Sequence, residues 1–385
     1  MVEIENSLGD LLNHLSGVPE PRQSAKIVYP LDEILFLTIS AAVSACSEWD
    51  EIVDFGEDKI EWLQRYRPFI NGIPSHDTLN RVMSLIDPLA FEQMFVTWVN
   101  RNIKLAEGTQ ISIDGKKLRS SATKSAQQTS RAEGGKSAVH LVEAWCSDLS
   151  LCLSVREVDE KTNEIKAIPL ILNDLELGGC VVSIDAMGCQ KEIVKEIMSK
   201  NADYVIGLKD NQPTLAEGAV EAFGANANQC VGDRYAKDSS VNHGRIEERI
   251  CRVLSADLLP EWVPRADWAG LNTIIQIQSE RVVMVTGAIA QETRYYISSL
   301  MLPAERIAAY VRGHWAIENQ LHYMLDVFWG EDGSRKRSEN AAANFGTVLR
   351  IAHNLVKTHP DKISIKRKRK KADRSDLYRE QILRL

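Results

Sequence analysis

Apolar residues recur at spacings of three and four from Glu305 to Trp329, and the spacing predicts one helix whose stripe carries Ile307, Val311, His314, Trp315, Glu318, Leu321 and Leu325. That stripe sets a carboxylate among residues suited to a core. A lone buried glutamate is costly unless it is neutralised, paired with Arg312 or a histidine, or bound to a cation. The plain alternative is a partly exposed glutamate at the edge of the stripe.

The first hundred residues also read as helical. Tyr29 to Cys46 has a Pro-Leu-Asp-Glu start and an unbroken apolar run, which predicts a buried helix. Ile52, Phe55, Ile60 and Leu63 keep helical spacing between Asp50 and Tyr66. A Pro-Ser cap at 74–75 opens a further helix, with Leu79, Val82, Met83 and Ile86 inward and His76, Asn80 and Arg81 on the polar side. Such a set suits a helix-turn-helix-like DNA reader, and equally a small bundle that only packs on its neighbour.

The period changes at Thr109. Gln110 to Asp114 alternates as a short strand ending on an aspartate, followed by Gly115 and the cations Lys116, Lys117 and Arg119. A carboxylate there suits a metal ligand flanked by phosphate-binding groups, whereas an Asp-Gly turn is the ordinary explanation. Residues 120–136 are polar and small and read as a loop. Strands at 138–146 and 151–158 complete a meander, and a helix follows at 164–177 despite Pro169. Cys180 to Ile184 is a fully apolar strand that again ends on an aspartate, Asp185.

A helix at 190–200 and a strand at 203–209 complete an α/β order with a mixed sheet. If the strands ending at Asp114 and Asp185 are neighbours, the two carboxylates lie together. With Glu318 brought over that edge by its helix, three carboxylates would stay ionised only around divalent cations, and oxygen ligands select hard Mg2+ or Mn2+. After a helix at 214–223, strand-like stretches at 245–254, 271–278, 281–286 and 293–299 predict a β-rich insertion.

Composition narrows this picture. A chain of 385 residues, 44% hydrophobic and 26% charged, can bury a sizeable core in two or three lobes. No apolar run reaches the roughly 20 residues that span a bilayer. The start Met-Val-Glu-Ile-Glu lacks the basic opening of a secretory signal, so a cytoplasmic protein with no membrane partner is expected. The 7 cysteines include no Cys-x-x-Cys pair, which points to neither a disulfide framework nor a zinc ribbon. A net charge of -7 argues against a protein that simply coats nucleic acid. Lys366 to Lys371 is nevertheless an unbroken cationic run in a basic C-terminal tail, 359–385, and would attract phosphate.

Five short motifs occur in order: Asp114 in Ile-Asp-Gly-Lys, Asp185 in Ser-Ile-Asp-Ala-Met-Gly, Ile206-Gly-Leu-Lys-Asp-Asn-Gln-Pro213, His243-Gly-Arg-Ile-Glu-Glu-Arg249, and Trp315-Ala-Ile-Glu-Asn319. Over residues 20–358 the chain thereby resembles bacterial insertion-sequence transposases of the DDE class, in particular the H-repeat-associated group. The resemblance implies a ribonuclease H-like (retroviral-integrase-type) catalytic fold over 106–358, with the β-rich insertion near 226–300 and a helical domain over 1–105 that is a candidate binder of DNA ends.

It further implies Asp114, Asp185 and Glu318 as a catalytic, metal-binding triad. They would hold Mg2+ (or Mn2+) for two-metal cleavage and joining of phosphodiesters at the ends of an insertion sequence. Double-stranded DNA, as terminal inverted repeats and target, and a homodimer on that DNA follow as partners. His243, Arg245 and Arg249 on the insertion become candidates for DNA contact. Related transposases often carry a tyrosine, an arginine three residues on, the glutamate four after that and a lysine seven beyond it. Here Tyr310 is followed two residues on by Arg312, His314 stands four before Glu318, and Leu325 seven after. Phosphate contact would then pass to Arg312, His314, Arg335, Lys336 and Arg337. Two other readings stay open: a transposase-derived DNA-binding protein no longer active in transposition, and a ribonuclease or repair nuclease on the same fold.

Overall fold

A computed structural model describes residues 11–122, 137–158, 164–242 and 244–385; His243 and most of the polar stretch 120–136 lie outside the described residues. The chain forms two units. One gathers Met1–Lys104, Gly115–Ala167 and Glu318–Leu385, and the other Leu105–Asp114 and Ile168–Ile317. No described helix is long and apolar enough to cross a membrane.

In the first unit the described helices up to residue 104 are α1 (Leu11–Leu15), α2 (Leu31–Val43), α3 (Trp49–Asp58), α4 (Ile60–Leu63), α5 (His76–Leu85) and α6 (Pro88–Asn102). Every residue of α2 except Asp32 is buried, as a helix apolar all round requires. It packs on α12 (Ala341–Thr358), itself buried from Ala341 to Val356. Glu33 is the carboxylate inside α2. Burial raises its pKa, and Oε1 accepts a hydrogen bond from the Phe69 amide at 2.8 Å. Ser75 caps α5 as expected, accepting from the Thr78 amide. Asn80 departs from expectation: it is tied to Trp49 Nε1 at 3.2 Å and to Ser338 Oγ at 2.9 Å, because α3 packs alongside. His76 and Arg81 stay exposed.

The same unit contains the antiparallel hairpin β2 (His140–Cys146) and β3 (Leu151–Val158), covered by α6 and α12. The basic run is helical, not a solvated tail. It forms α13 (Ile365–Arg374), followed by α14 (Asp376–Leu383). Lys368 Nζ donates to the carbonyls of Val356 and His359. Arg369 donates to those of Ala42 and Phe328 and lies 3.9 Å over the Trp329 ring. The long stems of these cations bury readily once their heads find carbonyls.

In the second unit, β1 (Gln110–Lys117) begins a run of strands. It pairs in parallel with β4 (Val181–Ile184), and β4 in parallel with β5 (Asp203–Leu208). Antiparallel β9 (Ile289–Ser298), β8 (Thr273–Val283), β7 (Arg245–Ser255) and β6 (Tyr235–Asn242) follow in that order. Along the chain, helix α7 (Glu164–Asp174) precedes β4, α8 (Lys191–Ser199) lies between β4 and β5, α9 (Pro213–Ala225) follows β5, and α10 (Ala304–His314) comes after β9. Ile307 and Val311 of α10 share a core with Val181, Val205, Cys251, Val253, Ile275 and Ile277.

Three local expectations are corrected. The stretches at 271–278 and 281–286 are one strand, β8, which runs unbroken through Ser279 and Glu280 because both neighbours supply a full ladder. The polar edge strand β6 has no apolar alternation by which the sequence could announce it. Asp114-Gly115 is no turn: β1 continues to Lys117. Glycine is needed there because the His140–Glu164 pair crosses close by, and a Cβ would lie 2.7 Å from His140 Nε2.

A buried ionic cluster lies inside the first unit. Arg350 of α12 donates through Nε to Glu143 Oε1 at 2.7 Å and to both oxygens of Glu331. Lys116 Nζ sits 2.7 Å from Glu331 Oε2 and from Asp326 Oδ1, and His322 Nε2 lies 2.9 Å from Glu143 Oε2. Burial alone would raise the Glu143 pKa, but the Arg350 guanidinium and His322 outweigh it and hold the carboxyl well below the usual range. Replacing Arg350 by Leu strands two buried carboxylates and is predicted to cost about 3–5 kcal/mol. The exposed Lys117→Met should stay within about 0.5 kcal/mol of wild type. Urea denaturation monitored by circular dichroism compares them.

Candidate active site

The site is built where the parallel ladder between β1 and β4 ends. Ile113 pairs with Ile184 in parallel register, so Asp114, within β1, and Asp185, just past β4, both follow the last matched pair of the ladder. The condition set by the sequence is met. β4 is buried throughout, and Asp185 is its first exposed successor. Asp185 Oδ1 accepts from the amides of Met187 at 2.9 Å and Gly188 at 3.4 Å, capping the 3-10 turn Ala186–Gly188.

That turn is clamped from the next strand. Asn211 Nδ2 donates to the Ala186 carbonyl at 2.8 Å, and Gln212 Nε2 to that of Cys189 at 2.9 Å. Gly207 of β5 lets the turn approach, since a Cβ there would stand 2.9 Å from the Ala186 nitrogen. Asn211 and Gln212 are positioning residues whose role the sequence reading missed. Their one signal was a pair of amide side chains directly after a strand.

A polar cluster ties the last turn of α10 to the same two strands. Gln110 Nε2 donates to Ser183 Oγ at 2.8 Å and to the Tyr310 carbonyl at 2.7 Å; Ser183 Oγ lies 3.1 Å from Ser112 Oγ and 3.2 Å from His314 Nδ1. Tyr310 Oη donates to the Gly108 carbonyl at 3.1 Å. His314 therefore faces β4. Burial pushes its imidazole down to about 4 against the opposing pull of the Asp185 carboxylate. It is neutral near pH 7, so any phosphate contact it makes is that of an uncharged donor. Arg312 is exposed and pairs with Asp238 at 2.8 Å.

The single helix expected over 305–329 is divided. α10 ends at His314, a π-helical turn spans Ile317–His322, and α11 (Tyr323–Trp329) follows until Gly330 stops it at φ 68°. A π turn inserts a residue and rotates the stripe. Ile317, Leu321 and Leu325 are fully buried, while Trp315 and Glu318 are exposed. Glu318 thus lies outside the apolar stripe, and its burial, expected from regular periodicity, is corrected. Within its own unit the segment carrying Glu318 is fixed by His322 against Glu143 and by Asp326 against Lys116.

The predicted cations divide. Lys116 is 7% exposed, and its ion pairs with Asp326 and Glu331 remove it from the phosphate-binding candidates. Lys336 is corrected too: its Nζ donates to the Ser47 carbonyl at 2.6 Å between the Trp49 and Phe345 rings, and burial pushes it down to about 8. Arg337 is half-buried and donates to the Ser120 carbonyl at 3.0 Å. Lys117, Arg119, Arg245 and Arg335 are exposed, and Arg119 turns toward Asp332. Asp114 and Asp185 offer only oxygen donors, which fit a hard divalent cation. No group of three or more His, Cys, Asp or Glu side chains among the described residues is gathered closely enough to hold a metal.

Residues 105–355 match the family described as transposase DDE domain, and residues 12–99 one described as DDE_Tnp_1-associated. The chain is 38% identical over 381 residues to a putative transposase, YncI, of Escherichia coli O157:H7, covering 98% of this chain and 95% of that protein. It is 37% identical over 383 residues to the H repeat-associated putative transposase YhhI of Escherichia coli strain K12, covering 98% of both. Among solved structures, that of a piggyBac transposase synaptic complex with hairpin DNA aligns with a TM-score of 0.44 and 11% identity, over 98% of this chain and 80% of that one.

The His314 shift carries a pH dependence. Its folded value lies below the unfolded one, so between about pH 6.5 and 4 the unfolded chain takes up a proton that the folded chain does not. The stabilisation is complete above the unfolded value and is lost as pH falls through that window. His314→Asn, which keeps a hydrogen-bonding partner for Ser183, should lessen the stability lost between pH 7 and 4.5 by about 1–3 kcal/mol. Urea titrations of both proteins at the two pH values measure the difference.

Proposed function

The chain belongs to the transposase DDE domain family, and on that premise we propose that it is a metal-dependent DNA transposase of the H-repeat-associated group, which cleaves phosphodiesters at the ends of its own element and joins the freed 3′-hydroxyl to target DNA. The observation that carries this reading is the in-register pairing of β1 and β4, in which Asp114, within β1, and Asp185, just past β4, both follow the last matched pair of the ladder. Asp114, Asp185 and Glu318 act as metal ligands. Bound divalent cations would activate the attacking oxygen and neutralise the leaving one. The protein contributes position: one Asp185 oxygen is engaged by the turn amides and orients the other as a donor. The β1, β4, β5 order with its following helices supports a ribonuclease H-like catalytic fold.

Lys117, Arg119, Arg245, Arg312 and Arg335 are the cations proposed to hold DNA, together with His243, and with Arg337 and His314 as lesser or uncharged donors. Exposed His76 and Arg81 on α5 support a role for the helical region at the element ends, read by a homodimer in the cytoplasm. Single changes Asp114→Ala, Asp185→Ala and Glu318→Ala should each lower Mg2+-dependent strand cleavage by about a thousandfold or more, while leaving duplex affinity within about threefold, because phosphate contact and metal chemistry are separate contributions. Cleavage of inverted-repeat DNA and fluorescence anisotropy, run on the same preparations, test this. Undiminished cleavage by Glu318→Ala removes it from the triad. A wild-type protein that binds but never cleaves would be a transposase-derived DNA-binding protein.

A further inference from the structure

The helical hairpin at the C-terminal end holds cations that neither the candidate site nor the core uses. α13 sorts its charges by face. Lys368 and Arg369 turn inward onto carbonyls, while Arg367, Lys370, Lys371 and Arg374 are exposed at spacings of three and four, hence on one side of the helix. That side forms a wall of a cleft of about 550 Å³ whose lining continues with Ser375, Leu377, Tyr378 and Gln381. The acid on α13, Asp373, is outside the lining.

We infer that this cleft binds the sugar-phosphate backbone of duplex DNA, through residues other than the proposed metal ligands, an inference that rests on the proposed action on DNA. Lys371 is committed to the wall itself: Nζ bonds Asp361 Oδ2 at 2.8 Å and lies 4.0 Å over the Tyr378 ring, while Tyr378 Oη donates to Asp361 at 2.9 Å. Arg367, Lys370 and Arg374 remain as a row. Like charges three and four residues apart repel along a helix, and a polyanion laid across them relieves the repulsion. The row is about 10 Å long at 1.5 Å per residue. Phosphates advance about 3.4 Å per step in projection on the duplex axis and lie farther apart through space, so the row spans only a few of them. The charge is also local, since the whole chain carries -7. A row of long cations on one helix face reads backbone charge and not bases.

The test uses full-length protein and a fluorescein-labelled duplex of unrelated sequence, with anisotropy read over a range of sodium chloride concentrations. The triple variant Arg367→Ala/Lys370→Ala/Arg374→Ala should bind at least about tenfold more weakly at low salt, with a log–log salt slope shallower by about two to three. The charge-keeping variant Arg367→Lys/Arg374→Lys should retain the wild-type slope and controls for folding. Asp185→Ala should retain it too, which separates this site from the catalytic one. If the wild type proves unable to cleave while the triple variant still loses slope, the catalytic reading falls and the cleft stands. A wild-type slope in the triple variant, an equal loss in the charge-keeping variant, or displacement of the duplex by equimolar pyrophosphate would overturn the inference, the last by revealing a small-anion site.

Discussion

The parallel register of β1 with β4 is the constraint on which the candidate site depends. Ile113 opposite Ile184 makes the aspartates equivalent in position, and a slip of one residue would turn one of them to the other face of the sheet. Several features guard that register. Gln110 bridges to Ser183 of the neighbouring strand and also holds the Tyr310 carbonyl of α10, and the apolar face of α10 packs on β4 and β5. The amides of Asn211 and Gln212 fasten the turn after β4. Asp185 is itself held by the backbone amides of that turn, through Met187 and Gly188.

The segment bearing Glu318 is secured by other means. Its unit uses a buried cluster of Lys116, Glu143, His322, Asp326, Glu331 and Arg350, where strand, helix and turn are joined by charge. Such clusters add little net stability compared with apolar packing, yet they tolerate few alternative arrangements, since any one member left unpaired is costly. A π turn stabilised in this way keeps Glu318 exposed while its neighbours Ile317 and Leu321 are buried. Regular helical geometry would have put the glutamate into the core.

Much of this was legible in the sequence where one physical rule dominated. The apolar run of α2, the Ser75 cap, and the uninterrupted strand before Asp185 each followed from burial or capping alone. The order of elements left the pairing of the two aspartate-bearing strands as a condition, which the register of β1 with β4 meets. What escaped depended on distant partners. Gly115 looked like a turn because the crossing His140–Glu164 pair is invisible along the chain. Lys116 and Lys336 looked like phosphate ligands because their acceptors lie far off in sequence. The basic run looked like a tail because its inward cations end on carbonyls, which leave no trace in residue type. The π turn escaped because a periodic reading assumes a constant angle per residue.

The central claim, that Asp114, Asp185 and Glu318 share bound divalent metal, is tested most directly by iron-mediated cleavage of the polypeptide. Fe2+ substituted for Mg2+ on the DNA-bound protein, with ascorbate and peroxide, generates radicals that cut the backbone beside the ion. The account predicts cuts next to residues 114, 185 and 318, suppressed together by excess Mg2+ and by Asp185→Asn. Cuts near the two aspartates with none near 318, or a pattern indifferent to Mg2+, would contradict it.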